Sequence, residues 1–407
     1  MNAPLSAAQR HILIEPPETG IDAALVFLLA CAAGLSVAAI YYNQPMLGTL
    51  AAQFSASPTE IGRVPTFTQI GYALGIFFLA PLGDRYDRRT IILTKILVLT
   101  LALLGTAASQ ALWQLIGCSV ALGLSASLAQ DCVPAAAALA PESRRGQVVG
   151  TVMSGLLFGI LLSRVASGLI AQWLGWRAVF ILAAALVAAL GVVAQRRLPR
   201  VPPTTTLPYT TLLASLLTLW RRFPELRRAA LAQGALSLAF SAFWSTLALM
   251  LHEPPFSYGS AVAGAFGLAG AIGALAAPIA GRIADRRGPA PVTRLGAALV
   301  LASFLGMAWL PTSLPMLVAG VLLFDLGLQA ALIAHQSIIY QQDPAARSRL
   351  NAILIGAMFV GMALGSSLAS LMLAQAGWRG VCLLAAAVSA LALVVRLWPA
   401  RGSGSAN

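Results

Sequence analysis

Apolar residues run through this chain in long stretches, each closed by a short polar gap. A helix needs about 20 apolar residues to cross the hydrocarbon core of a bilayer. Twelve stretches fit that length: 22–50, 64–83, 91–109, 112–139, 148–172, 177–195, 229–251, 260–281, 292–310, 313–340, 352–375 and 378–397. The pattern predicts an all-α membrane protein of twelve transmembrane helices, and an even number of crossings puts both chain ends on one side.

One gap is longer than the rest. Residues 196–228 break the apolar pattern with Pro199, Pro202, Pro203, the threonines Thr204 to Thr206 and Pro208. They divide the chain into a tail (1–21), a first six-helix half (22–195), a central linker (196–228), a second six-helix half (229–397) and a second tail (398–407). Leu212 to Leu219, followed by Trp220, Arg221 and Arg222, suits a short amphipathic helix lying on the membrane surface. A plain linker is the alternative.

Composition supports a bilayer protein. The chain is 59% hydrophobic and 10% charged, with a mean hydropathy of +0.83, against about 25% charged residues in soluble proteins. The net charge of +13 would suit nucleic acid only as a basic face on a soluble module. Here the arginines lie in the gaps, where they report topology. Even-numbered gaps hold Arg85, Arg88, Arg89, Arg144, Arg145, the group from Arg196 to Arg228, Arg282, Arg286, Arg287, Arg347 and Arg349; in or bordering the odd-numbered gaps stand only Arg63, Arg177 and Arg379. Basic residues gather in cytoplasmic loops, so both termini are expected in the cytoplasm and the chain in a bacterial inner membrane. No apolar core precedes Ile21, which argues against a cleaved secretory signal. Cys31, Cys118, Cys132 and Cys382 all fall inside apolar stretches, with neither a disulfide framework nor metal-ligand spacing, and are taken as packing residues.

The two halves repeat one another. Asp84-Arg85, with Arg88 and Arg89 behind it, returns 201 residues later as Gly281, Arg282, Asp285, Arg286, Arg287, Gly288. Gly175-Trp176-Arg177 returns as Gly377-Trp378-Arg379, Leu122-Gly123-Leu124 as Leu326-Gly327-Leu328, and Pro141 to Arg145 is echoed by Pro344 to Arg349. Such duplications are a feature of transporter folds. A Gly-x-x-x-Asp-Arg-x-Gly loop between two membrane helices, present twice, resembles the loop signature of the major facilitator superfamily. The earlier copy departs from it, with Ala80 and Asp87 where the family usually has Gly. Further runs extend the resemblance over nearly the whole chain: Tyr41 to Pro45, Ser154 to Gly168 with Arg164 inside it, Asp325-x-Gly327-x-Gln329, and Arg347 to Asn351. Together they look like bacterial efflux carriers of the acriflavine-sensitivity and arabinose-efflux type, related to drug-proton antiporters. The fifth helix lacks the usual Gly-Pro pair after Gly159, and the fourth lacks its usual arginine near Cys118.

Ionisable residues inside a membrane crossing are costly and usually functional. This chain places Asp131 in the fourth crossing, Arg164 in the fifth, Asp325 and His335 in the tenth, and Lys95 near the start of the third. Lys95 is read as snorkelling to the interface. Counting along the helices puts Arg164 and Asp325 in the outer half of the membrane with Tyr41, Asn43, Gln44 and Gln69, and puts Asp131, His335 and Gln336 in the inner half.

The family resemblance implies that the first, fourth, seventh and tenth helices of two pseudo-symmetric halves line a central path. It places Tyr41, Asn43, Asp131, Phe243, Trp244, Asp325, Gln329 and His335 beside that path. Arg164 lies alongside on the fifth helix, with Gln44 and Gln69 at its level. Asp84 and Asp285, with their arginines, are expected to act as latches between the halves. Phosphate-loop spacing is absent, and the three histidines lie too far apart for a catalytic set. No enzyme activity, cofactor, metal or nucleic-acid partner is expected. The expected function is secondary transport of a small organic molecule by a monomer, as proton-coupled efflux with Asp325 or Asp131 carrying the proton. Proton-coupled uptake and facilitated diffusion are alternatives, and a receptor or scaffold without transport is the alternative of another class.

Overall fold

The computed structural model describes residues 21–203, 205–274, 282, 283, 286–343 and 346–398. Among them, ten continuous helices are long and apolar enough to cross a membrane. In chain order, with the linker helix included, the elements are α1 (Ala23–Phe54), α2 (Pro58–Arg85), α3 (Arg88–Ala108), α4 (Leu112–Leu139), α5 (Glu142–Leu174), α6 (Trp176–Arg197), α7 (Tyr209–Arg222), α8 (Pro224–His252), α9 (Ser260–Ala274), α10 (Pro289–Trp309), α11 (Leu314–Tyr340) and a last helix, Arg347–Leu397. That last helix is bent at Gly377, where φ is 63° and ψ is −165°. Only glycine enters this region freely, so the bend makes two crossings of it, α12 (347–376) and α13 (378–397). Counting the shorter apolar helix α9 among the described residues brings the number to twelve.

Helices start earlier than the apolar stretches. α2 begins at Pro58 rather than 64 because Ser57 caps it, with its hydroxyl accepting from the Glu60 N–H and the Glu60 carboxylate accepting from the Ser57 N–H. Those contacts also hold the Glu60 carboxyl below the ordinary carboxylate range. α3, α8 and the last helix likewise extend back over charged turns to Arg88, Pro224 and Arg347. Hydropathy marks where lipid begins, whereas backbone hydrogen bonding continues into the interface.

Helices approach closely where side chains are smallest, as expected where lipid supplies no hydrophobic push. In the first half, a Cβ on Gly159 of α5 would strike the backbone of Gly34 on α1; in the second, a Cβ on Gly361 of α12 would strike Gly234 of α8. These are the first and fifth helices of each half, joined at repeat-related positions.

Three helices are interrupted, and the breaks in α1 and α4 lie at or beside polar residues. α1 leaves helical geometry after Ala39 and resumes as a 3-10 turn at Gln44–Met46. Pro45 has no N–H to give Tyr41, so residues 40–43 form a turn between the two helical stretches. α4 breaks at Ser127–Leu128, ahead of Asp131 and Pro134. α2 carries a π-turn over Gly75–Leu79, ahead of Pro81.

The linker does contain a helix. α7 buries Leu212 and Leu219, and Leu219 joins a small core with Leu226, Ala229, Leu350 and Leu354 of the second half.

Candidate functional site

The broken segment of α1 faces α5 and α8, and a buried arginine sits at the junction. Arg164, 3% exposed, donates from Nε to Gln44 Oε1 at 2.8 Å and from Nη1 to the Ile160 carbonyl at 3.5 Å. Its guanidinium carbon lies 4.2 Å from the Trp244 ring centre, 4.5 Å from that of Tyr41 and 5.6 Å from that of Phe240. Tyr41, Gln44 and Arg164 belong to the first half and Phe240 and Trp244 to the second, so the cation–π contacts span the two halves. Asp325 of α11 is 6% exposed, and its carboxylate rests against Gly270 of α9 beside the Trp244 ring. It lies within electrostatic reach of Arg164, yet no ion pair joins them among the described residues. Gln329, one turn further along α11, is partly exposed on the same face.

Neighbouring polar residues complete this layer. Gln69 Nε2 donates to Ser241 Oγ across the halves at 3.1 Å, and Asn43 Nδ2 donates to Thr68 Oγ1 at 3.3 Å. Tyr41, Asn43, Gln44, Gln69, Arg164, Trp244 and Asp325 are thus gathered around the junction of the two halves.

The same end of the molecule is shut. Gly168 of α5 meets Gly264 of α9 with no room for a Cβ on either, Gly48 of α1 meets His252 of α8, and Gly62 of α2 meets Ser370 of α12. Ser260 Oγ donates to the Gly168 carbonyl at 3.1 Å, and Ser366 Oγ donates to that of Gly62 at 3.2 Å.

At the other level the structure departs from expectation. Lys95 does not snorkel: it is buried, and its Nζ donates to Asp131 Oδ2 at 2.6 Å. Both lie about 10–12 Å in from the same ends of the antiparallel helices α3 and α4 at about 1.5 Å per residue. That match of depth and opposite charge was the available signal. His335 Nδ1 shares a hydrogen bond with Gln233 Oε1 of α8 at 2.9 Å. Gln336 donates to Asn351 at 3.1 Å. The polar groups of this layer therefore pair inside their own halves. Phe243 faces the interior of its own half. It is fully buried among Phe324, Trp244, Trp378 and Phe304, with ring centres 4.9 to 6.4 Å away, and packs the second half. Gln233 and Ser241 had no sequence signal beyond being polar in an apolar run.

The Asp84 loop is strapped by the linker. Asp84 pairs with Arg88, and Asp87 Oδ1 accepts from the Val201 N–H at 2.9 Å. The Asp84 carbonyl accepts from the Thr205 N–H at 3.1 Å. Arg85 Nη1 donates to the Leu207 carbonyl at 3.5 Å, Arg89 Nη2 to that of Gln195 at 2.6 Å, and Tyr209 Oη to that of Phe78 at 2.7 Å. A cleft of about 50 Å³ beside the loop is lined by Asp84, Arg88, Gln130, Ser348 and Arg349, and so reaches the start of α12. In the second copy, Arg286 is exposed and Gly288 has φ 82°; Gly281 and Asp285 lie outside the described residues.

The sequence profile of the Major Facilitator Superfamily matches residues 27–342 and 229–407. The chain is 42% identical over 380 residues to the uncharacterized transporter YgaY of Escherichia coli O157:H7, covering 93% of this chain and 96% of that one. It is 36% identical over 384 residues to the Streptomyces coelicolor transporter SCO4007, covering 94% and 89%. Among solved structures, a bacterial homolog of the human lysosomal transporter Spinster, in an inward-facing, unoccupied conformation, shares the fold. Its TM-score is 0.75 and its identity 16%, with 93% of this chain and 98% of that chain covered.

Proposed function

The chain belongs to the major facilitator superfamily and is a multi-pass membrane transporter, and from that premise we propose that it exports a small organic molecule in exchange for protons by alternating access. The observation that carries this reading is the placement of Arg164 and Asp325. They stand on opposite halves, at one depth, buried and electrostatically coupled without a direct ion pair. A buried carboxylate resists ionisation, and a nearby arginine opposes that resistance. A carboxylate whose distance from an arginine changes as two halves rock will therefore bind and release a proton in step with the motion. Lys95 holds Asp131 in a direct ion pair within one half, which leaves Asp325 as the proton carrier.

The arginine-rich gaps put both termini and the Asp84 loop on the cytoplasmic side of a bacterial inner membrane. The shut end is then periplasmic, and the Asp84 loop, its linker strap and the start of α12 form the cytoplasmic latch. Glycine contacts suit a gate that must close tightly and part without breaking strong bonds. The carrier works as a monomer, since the path lies within one chain.

Proteoliposomes enclosing a pH-sensitive dye test the proposal. Small organic compounds are screened for those that move protons, and Asp325→Asn is then compared with the parent. The expected variant still exchanges solute but no longer moves protons. Undiminished proton movement in Asp325→Asn would remove Asp325 from the mechanism, and absence of any solute movement would favour a receptor.

A further inference from the structure

Around Arg164 three buried N–H donors have no acceptor: its own Nη2, Nε2 of Gln44 and Nε1 of Trp244. Buried donors in folded proteins are nearly always paired, so three orphans at one spot need a physical reason. They do share one spot, because Gln44 is bonded to Arg164 and the Trp244 ring lies against the guanidinium. The rings of Tyr41 and Trp244 stand over the guanidinium, while Gln44 takes Nε at its edge. What remains free is the Nη2 corner, where a planar acceptor can approach in the guanidinium plane.

The charge around these donors narrows the acceptor. Arg164 is a buried cation without an ion pair within salt-bridge distance among the described residues, so an anion is favoured over a neutral carbonyl and a cation is repelled. A carboxylate supplies two coplanar oxygens to Nη2 and to the flanking Gln44 and Trp244 donors, and the aromatic faces of Tyr41 and Phe240 suit an apolar body behind it. Entry is provided by the halves themselves, because parting them separates Trp244 and Phe240 from Arg164.

We infer that Arg164, Gln44 and Trp244 form a carboxylate-binding cradle and that the transported solute is a small organic monoanion with a flat apolar body. Asp325, beside the Trp244 ring, is a like charge to such an anion. The inference rests on the transport reading for its place in the path, but its test does not depend on transport.

Isothermal titration calorimetry on the purified, detergent-solubilised full chain compares benzoate, benzamide and benzylamine, which share a ring and differ in charge. Benzoate is expected to bind, benzamide at least about tenfold more weakly for want of the charge-assisted bonds, and benzylamine not measurably. Trp244→Phe keeps an aromatic ring there and loses the N–H together with the rest of the indole. It should weaken benzoate by about tenfold in protein that still melts cooperatively. Arg164→Lys should weaken it at least as much, and Asp325→Asn should tighten it. Equal binding of benzamide and benzoate, benzoate binding unchanged in both Trp244→Phe and Arg164→Lys, or no benzoate binding at all would overturn the cradle. None of these outcomes touches the proton-flux test of Asp325. Conversely, benzoate binding alongside undiminished proton movement in Asp325→Asn would sink the coupling reading and leave the cradle standing.

Discussion

The shut end of the molecule can be opened by one methyl group. A Cβ on Gly168 would lie 2.5 Å from the Ser260 carbonyl oxygen and 3.0 Å from Gly264 Cα. Both obstacles are backbone, so no side-chain rotation relieves them. Restoring ordinary contact requires α5 and α9 to part by roughly 1 Å, and overpacking of this kind costs about 1–3 kcal/mol. The cost falls only on the state in which these helices touch. Gly168→Ala should therefore shift the population away from the shut state by about 5- to 150-fold. Gly150, on the same helix, has nothing within 4 Å of its Cβ position, so Gly150→Ala adds a methyl without a clash and serves as the control. Spin labels at the exposed Leu174 and Tyr258, in a background without the four native cysteines, report the separation by pulsed dipolar spectroscopy. Gly168→Ala should show a grown long-distance population and Gly150→Ala the parental distribution. Identical distributions for the two variants would refute the glycine gate.

Three further outcomes follow from the same geometry. Asp131→Asn leaves the Lys95 ammonium buried without its partner and should destabilise the fold by about 3–5 kcal/mol, whereas Lys95→Met with Asp131→Leu should recover most of that loss; additive effects in a thermal double-mutant cycle would show that the pair does not act as a unit. Gly175→Ala and Gly377→Ala each force an L-residue into φ of 83° or 63° with no atom within 4 Å to clash. Each should cost about 1–3 kcal/mol by backbone strain alone, and an unchanged melting curve would argue against the bend as drawn. Chains cut near Pro203 and co-expressed should still assemble, because Val201 on one side of the cut and Thr205, Leu212 and Leu219 on the other keep their anchors. Their turnover should fall, and failure of the halves to copurify would show that covalent continuity is needed for assembly.

Length and hydropathy determined the crossings of this protein, because a bilayer accepts only helices whose backbone bonds are satisfied internally. The duplicated loop and Gly-Trp-Arg corners determined the two halves, and depth along each helix placed Arg164, Asp325, Tyr41, Gln44 and Gln69 in one layer, since rise per residue is fixed. Pro45 in the first crossing was a legible signal for the break that turns Tyr41 to Gln44 inward, and Ser57 with Glu60 was a legible cap. Rotation about each helix axis was not legible. Nearly every face of these helices is apolar, so periodicity does not say whether Lys95 points to lipid, to the interface or to Asp131; only the packing of α3 against α4 decides it. The same holds for Phe243 and Trp244, adjacent in sequence and turned by the helix to different neighbours, one into the core of its half and the other onto Arg164. Contacts between the halves were equally hidden, because Gly168 and Gly264 come into contact only when two distant helices meet, and a glycine in a membrane helix carries no mark of the partner it will touch.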